Sequence, residues 1–204
     1  MRKFLFVMAG LVISFSAVAK RDFAVYSELR CDNVKCYDKE SGSPFSGQLR
    51  TFYDNGVVKA NVEYKNGVRD GASNYYYFSG KERKQEVYTS GVIHGMLTEY
   101  HDNGNLKYEV EFDNGKKSGK FRSYYEDGTL KVDESYVDNK RNGRARKYNV
   151  HGDVMREAFF NDGVLVSGHC VSAEGEKITF TQNVIDAYNT KGLMPCDLER
   201  LVTF

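Results

Sequence analysis

A 24-residue repeat dominates this 204-residue sequence and restricts the folds that it can adopt. The unit occurs five times in register over residues 47–166, without an inserted or deleted residue, and the copy that begins at Gly95 is the clearest. Each copy opens with a glycine and contains two aromatic positions and two turn positions. Glycine fills every turn position except one, where Asn139 stands. Asparagine fits the same requirement, because it adopts positive φ more readily than most residues with a side chain.

The turn glycines follow Asn or Asp in most copies and lie between runs rich in Tyr, Phe, Val and Leu. This pattern is typical of tight β-hairpins, whose turns need positive φ. Two such turns in each repeat predict two short antiparallel strands, and five repeats predict ten strands. The sequence therefore predicts an all-β fold, an elongated single-layer antiparallel β-meander of hairpin repeats, closed by a short C-terminal helix.

The hydrophobic pattern also predicts the register of the first hairpin in each repeat. A three-residue loop, formed by a type I turn and a glycine bulge, would place Tyr100 opposite Leu106. Tyr100, Leu106 and Phe112 would then share one face, and Lys107 and Glu109 would lie on the other. A slip of one residue would bring charges onto the apolar face.

An aromatic stripe along one face is the predicted candidate for binding. Its rings either pack against one another as the core of a curled sheet, or remain partly open to bind protein, lipid or sugar. The run over 75–78 is the piece expected to be most exposed, because successive strand residues cannot all point inward. The candidate residues are Phe52, Tyr64, Tyr75, Tyr76, Tyr77, Tyr88, Tyr100, Phe112, Tyr124 and Tyr136.

Segments of different character flank the repeats. Residues 1–19 have a basic start, a short apolar run and an Ala-Val-Ala site, which predicts a cleaved secretory signal peptide, with an uncleaved anchor as the alternative. Residues 20–46 form a lead-in with a partial repeat, and residues 167–204 form a C-terminal cap. Within the cap, Thr181 and Gly192 bracket a predicted helix over 182–190, which we expect to cover the last strand edge.

Four cysteines occur, and export would place them in an oxidising compartment. Their spacing favours a small loop closed by Cys31 and Cys36, and a long loop closed by Cys170 and Cys196. Metal binding is the rival interpretation, although a single C-x4-C is weak evidence for zinc.

Composition and side-chain spacing argue against several functions. The chain has 29 basic and 28 acidic residues, so it lacks the charge excess of a nucleic-acid-binding protein. Its four histidines have neither zinc spacing nor a neighbouring nucleophile, and we expect turn or surface roles for them. Glu109, Asp133 and Glu157 recur at one repeat position, where a ladder of cross-strand charges is a simpler explanation than glycoside hydrolysis. No catalytic residue, cofactor or metal site is predicted.

Segments such as YHDNGNLKYEVEFDNGKKSG and YYEDGTLKVDESYVDNKRNG resemble the bacterial variant of the MORN repeat. That family includes proteins named as YwqK-type antitoxins and membrane-associated scaffolds, and the signal peptide and cysteines here resemble an exported branch. The resemblance implies an elongated sheet used for binding and transfers no catalytic residue. We therefore expect a non-enzymatic exported scaffold for protein–protein interaction, of the antitoxin or immunity kind. The alternative is an envelope surface protein that binds lipid or glycan. A periplasmic location is favoured over secretion or the cell surface, and the oligomeric state is not predicted.

Overall fold

The structure is a computed structural model that describes residues 23–32, 34–172 and 174–192. The predicted signal peptide and the last twelve residues of the predicted cap lie outside this part of the chain. Among the described residues, no helix has the length and apolar character needed to cross a membrane.

Short strands make up most of the described chain, as predicted, and one helix follows them. The strands are β1 (Phe23–Val25), β2 (Leu29–Cys31), β3 (Cys36–Asp38), β4 (Gly47–Phe52), β5 (Val58–Lys65), β6 (Val68–Tyr76), β7 (Glu82–Thr89), β8 (Val92–Ile93), β9 (Gly95–Tyr100), β10 (Leu106–Asp113), β11 (Lys116–Tyr124), β12 (Leu130–Val137), β13 (Lys140–Arg141), β14 (Gly143–Tyr148), β15 (Val154–Asn161), β16 (Val164–Val171) and β17 (Lys177–Thr179). The helices are a 3₁₀ turn (Tyr26–Glu28) and α1 (Gln182–Lys191).

One long antiparallel sheet contains the repeats. From β4 to β17 each strand pairs with the next in the chain, apart from the two-residue strands β8 and β13, which extend neighbouring hairpins. Strand β1 adds to the first edge in parallel with β4, and β2 pairs only with β3. This arrangement is the predicted open β-meander.

The first hairpin of each repeat has the predicted loop but an additional irregularity next to it. Tyr100 pairs with Leu106, as expected, and the register then shifts so that Tyr108 lies opposite Glu99. The other four repeats shift at the equivalent place. The bulge reverses the side-chain alternation, so the prediction that Tyr100, Leu106 and Phe112 share a face is wrong. Glu109 shares the face of Tyr100, contrary to the prediction, whereas Lys107 lies on the opposite face as expected, 2.8 Å from the carboxylate of Glu99.

The second turn of each repeat is a two-residue turn with positive φ at both central positions. In the fourth repeat these are Asp138 and Asn139, with φ of 50° and 69°. The N–H of Asn139 donates to the carbonyl of Lys117 at 3.0 Å, and its side chain accepts from the N–H of the same lysine at 2.8 Å. Equivalent backbone bonds join the second turns of the other repeats, so consecutive turns are stacked.

The first turns are joined by side chains that reach one repeat ahead. The hydroxyl of Tyr53 donates to the carbonyl of Tyr76 at 2.8 Å. Tyr77 and Tyr125 make the same bond 23 residues ahead, at 2.6 and 2.8 Å. His101 lies at this position in the third repeat, with Nε2 3.3 Å from the carbonyl of Tyr124. The residue that directly follows the first aromatic position of a repeat therefore has a structural role.

Helix α1 closes the C-terminal end, but not in the predicted way. It packs on the face of the sheet, where Ile185 joins a buried cluster with Ala158 and Phe160. Strand β17, rather than the helix, pairs along β16. The side chain of Asn189 bonds both backbone groups of Leu165, at 2.8 and 3.0 Å, and so satisfies a further part of that strand edge.

Candidate functional site

The two faces of the sheet differ in chemistry. Directly paired residues form one central row on each face, because cross-strand partners point to the same side. The row that defines the inner face contains Leu49, Val62, Ser73, Glu86, Leu97, Val110, Phe121, Glu134, Ala145 and Ala158. The row that defines the outer face contains Arg50, Asn61, Asn74, Gln85, Thr98, Glu109, Arg122, Asp133, Arg146, Glu157 and His169.

The predicted aromatic stripe is divided between these faces. Tyr64, Tyr75, Tyr88, Phe112 and Tyr136 lie on the inner face. The others lie elsewhere: Phe52, Tyr76, Tyr100 and Tyr124 on the outer face, and Tyr77 in the first turn of its repeat. The bulge after each first turn is the cause, since it separates the two aromatic positions that strict alternation would have placed together.

Both ends of the inner face are covered. The hairpin of β2 and β3 packs at the first repeat, where Leu29 and Cys36 contact Leu49 and Tyr64. Helix α1 covers the fifth repeat. Between them, over repeats two to four, the described residues place no second layer on the face. Leu97 and Val110 are nevertheless only 8% and 3% exposed, so side chains of the face itself must cover them.

Glu134 is one of two buried acids in the central row of the inner face. Only 6% of the residue is exposed, and it accepts a hydrogen bond from the hydroxyl of Tyr136 at 2.7 Å. Nε of Arg141 lies 3.1 Å from the same carboxylate. Arg141 also donates to the hydroxyl of Tyr188 on α1 at 3.1 Å, which ties this network to the cap.

Glu86 occupies the equivalent position two repeats earlier and is equally buried. The ammonium group of Lys84 donates to its carboxylate at 2.8 Å, and the hydroxyl of Tyr88 donates at 3.3 Å. Arg69 in turn donates to the hydroxyl of Tyr88 at 3.1 Å. The inner face thus combines buried charge with aromatic rings, rather than forming a purely apolar strip.

Cations stack on aromatic rings along one side of the inner face. The guanidinium of Arg69 lies 5.2 Å from the ring centre of Tyr88, and that of Arg141 lies 5.4 Å from the ring of Phe160. Lys117 lies 5.3 Å from the ring of Tyr136. Each pair joins one repeat to the next, at distances where cation–π attraction is significant.

Burial raises the pKa of the tyrosine hydroxyls on the inner face. It raises the pKa of Tyr75, Tyr108 and Tyr136 to about 12 in each case, with further contributions from nearby glutamates. The pKa of Glu99 is lowered instead. Burial acts to raise it, but hydrogen bonds from Lys107 and Tyr108 outweigh burial and hold the pKa below its usual value. At neutral pH the face therefore presents hydroxyl donors beside the ionised carboxylate of Glu99.

The outer face carries the predicted ladder of cross-strand charges, in which arginines pair with the recurring carboxylates. Arg122 lies 3.3 Å from Glu109 and 3.6 Å from Asp133. Arg146 lies 2.6 Å from Glu157. These pairs explain the recurrence of the carboxylates by sheet pairing, without assigning them a catalytic role.

The histidines do not form a cluster, and His169, expected at a turn or on the surface, lies half-buried in β16 opposite Glu157. His94 and His101 are at turns, where His94 lies 3.3 Å from Asp113. Within the described ranges, no group of three or more His, Cys, Asp or Glu is arranged to hold a metal ion. Cys31 and Cys36 form the predicted disulfide. Cys170 is also disulfide-bonded, and its predicted partner, Cys196, lies outside the described residues.

Comparison with known proteins identifies the repeat. Residues 46–66, 93–114 and 117–138 match the family model of the MORN repeat variant. They coincide with hairpins of the first, third and fourth repeats. MORN repeats are generally modules that bind proteins or membranes. No curated protein matches the chain.

The match to one solved structure is too distant to indicate a function for this chain. A point mutant of S. aureus TarM, in complex with fondaparinux, α-GlcNAc-glycerol and UDP, has a TM-score of 0.31 and 14% identity. The match covers 52% of this chain and 20% of that one, so this chain spans about a fifth of the length of TarM.

The sequence analysis missed several features of the inner face. Tyr108 and Phe121, whose ring centres lie 6.2 Å apart, were absent from the predicted stripe. The buried positions of Glu86 and Glu134 were also missed. Phe121 occupies the repeat position of Leu97, Glu86 and Glu134 occupy that of Val110, and Tyr108 lies two residues before Val110. The sequence could have indicated all four once Leu97 and Val110 were assigned to the buried face.

Proposed function

We propose that this protein is an exported, non-enzymatic scaffold, and that it binds another protein on the inner face over repeats two to four. The observation that supports this most directly is the gap between the two caps. Both ends of the face are covered by elements of the same chain, whereas the central stretch has none over it among the described residues. Tyrosine rings lie there together with Arg141, and aromatic and arginine side chains are enriched at protein interfaces.

Two further observations are compatible with this proposal. The sheet is stiffened by stacked turns along both sides, so it offers a preformed surface that loses little conformational entropy on binding. The Cys31–Cys36 disulfide fits an oxidising compartment outside the cytoplasm. An antitoxin-like or immunity role would be one form of this function, in which the face occludes a surface of its partner.

Site-specific photo-crosslinking tests the proposal. A photoreactive residue replaces Tyr108 on the inner face, and Met96 on the outer face provides the matched control, because it is 43% exposed in the same hairpin. The oxidised protein is expressed in its source cells and irradiated, and adducts are identified by mass spectrometry. We expect one protein partner to be crosslinked at position 108 and not at 96. Adducts from position 96 alone, or from neither position, would contradict the proposal.

The outer face supports a second candidate function, glycan binding. Phe52 is 42% exposed there, and Tyr76 and Tyr100 lie on the same face. Beside Tyr76 lies a cleft of about 400 Å³, whose lining includes Arg50 and the amide residue Asn61. Aromatic rings next to amides suit sugar recognition. Binding to envelope glycans, or to liposomes, that is lost in a folded Tyr76→Ala, Tyr100→Ala variant would favour this function.

A further inference from the structure

A cleft lies where the disulfide hairpin meets the first two repeats. Its volume is about 380 Å³, and both cysteines of the Cys31–Cys36 bridge contribute to its wall. Three tyrosine rings, of Tyr26, Tyr64 and Tyr88, also line it, together with Arg69. The cleft therefore depends on the lead-in segment and cannot be formed by the repeats alone.

Arg69 is the charged group at this site, and its environment differs from that of its repeat equivalent. Arg141 occupies the same repeat position three repeats later and pairs with Glu134 at 3.1 Å. In the first repeat, the residue equivalent to Glu134 is Val62. Arg69 therefore lacks the counterpart of the carboxylate that pairs with Arg141, although an arginine side chain remains charged at any physiological pH.

The other acids near Arg69 are already engaged. Glu86 accepts from Lys84 and Tyr88. Asp32, which also lines the cleft, accepts backbone N–H bonds at 2.7 Å from residues 34 and 35. Within the described chain no carboxylate forms an ion pair with Arg69, which donates to the hydroxyl of Tyr88 at 3.1 Å and also interacts with the side chain of Tyr64. Lys35 adds a second positive charge to the lining.

We propose that this cleft binds an acidic side chain from a peptide segment of the partner protein, with its carboxylate on Arg69 and adjoining apolar groups against the tyrosines. A guanidinium suits a carboxylate because its planar fork can donate two parallel hydrogen bonds. The cleft opens at the N-terminal end of the uncovered inner face, so one segment can occupy both. This inference rests on the proposed scaffold function and specifies the partner chemistry at one end of the site.

Peptide binding tests the proposal directly. Fluorescence anisotropy is measured with a labelled Gly-Tyr-Glu-Tyr-Gly peptide and with the same peptide carrying Gln in place of Glu. We expect the Glu peptide to bind the oxidised protein at least tenfold more tightly, because hydrogen bonds to charged groups contribute more than neutral ones. We also expect added salt to reduce the difference. Equal affinities for the two peptides would overturn the proposal.

Matched variants assign the effect to the cleft. Arg69→Gln should abolish the preference for Glu, whereas Arg144→Gln, which removes the same charge from an exposed strand position, should retain it. Tyr26→Ser provides a second test if Arg69→Gln does not fold. Tyr26 is 61% exposed, so removing its ring should weaken the binding of both peptides without unfolding the protein. An unchanged preference in Arg69→Gln, or unchanged binding in Tyr26→Ser, would refute the assignment.

The photo-crosslinking experiment separates this inference from the function on which it rests. If Arg69→Gln still forms the partner adduct at position 108 with wild-type yield, the scaffold function stands and the acidic site fails. If the wild-type protein forms no adduct, the scaffold function fails, and the peptide affinities still decide whether the cleft binds a carboxylate.

Discussion

Replacing Glu134 by valine should reveal how the buried acid of the inner face is stabilised. The side chain is only 8% exposed and shares its carboxylate between Tyr136 and Arg141. The equivalent positions in the first and third repeats are valines, Val62 and Val110, so the substitution introduces a side chain that the same sheet already accommodates.

The expected loss follows from the partner that remains. Removing one member of a buried ion pair typically costs about 3–5 kcal/mol. The side chain of Arg141 keeps 32% exposure, so water offsets part of this, and we expect a loss of about 2 kcal/mol. For a chain of this size that corresponds to a fall in Tm of about 4–8 °C. Arg141→Leu leaves the less exposed carboxylate unpaired and should cost about 3 kcal/mol.

The double variant distinguishes an ion pair from two independent contributions. Ala158 and Leu165 occupy these two positions in the fifth repeat, so an apolar pair fits this sheet. Apolar replacement of a whole buried pair is often neutral or stabilising. The free energy of unfolding of the double variant, Glu134→Val with Arg141→Leu, should therefore lie within about 1 kcal/mol of the wild-type value. Urea denaturation of all four proteins gives the coupling energy. If the two losses simply add, our account of Glu134 is incorrect.

Three further outcomes can be measured on the same protein. Tyr125→Phe removes the bond to the carbonyl of Tyr148 and should lower the free energy of unfolding by about 1 kcal/mol; no change in urea denaturation would mean that the stacked first turns contribute no stability. Asn139→Ala should be less stable than Asn139→Gly by about 1 kcal/mol, since its φ is 69°; equal thermal midpoints would contradict the role of positive φ. Arg146 holds the pKa of Glu157 below its ordinary value of 4.5. The wild-type protein should therefore be more stable than Glu157→Gln by the full amount above that pH, and this difference should disappear as the pH falls through the folded-state pKa of Glu157. An advantage that persists in acid would exclude the ion pair as its source.

The repeat, the hairpins and their turns could all be predicted from the amino-acid sequence alone. Glycine or asparagine is required where φ is positive, and that requirement is local to each turn. The position of Asn139 and the pairing of Tyr100 with Leu106 were predictable for this reason. The short loop between Cys31 and Cys36 likewise made their pairing favoured before any tertiary contact was known.

Which side chains share a face depends on the pairing of the strands in three dimensions. A bulge of one residue after each first turn reverses the alternation, and its presence depends on pairing between strands rather than on local sequence. It placed Tyr100 and Phe112 on opposite faces and brought Glu134 into the buried row. The same applies to Arg69: its lack of a carboxylate follows from Val62 in its own repeat and from a cleft formed with the lead-in hairpin. These relations join residues distant in the chain, so the repeat pattern could not specify them.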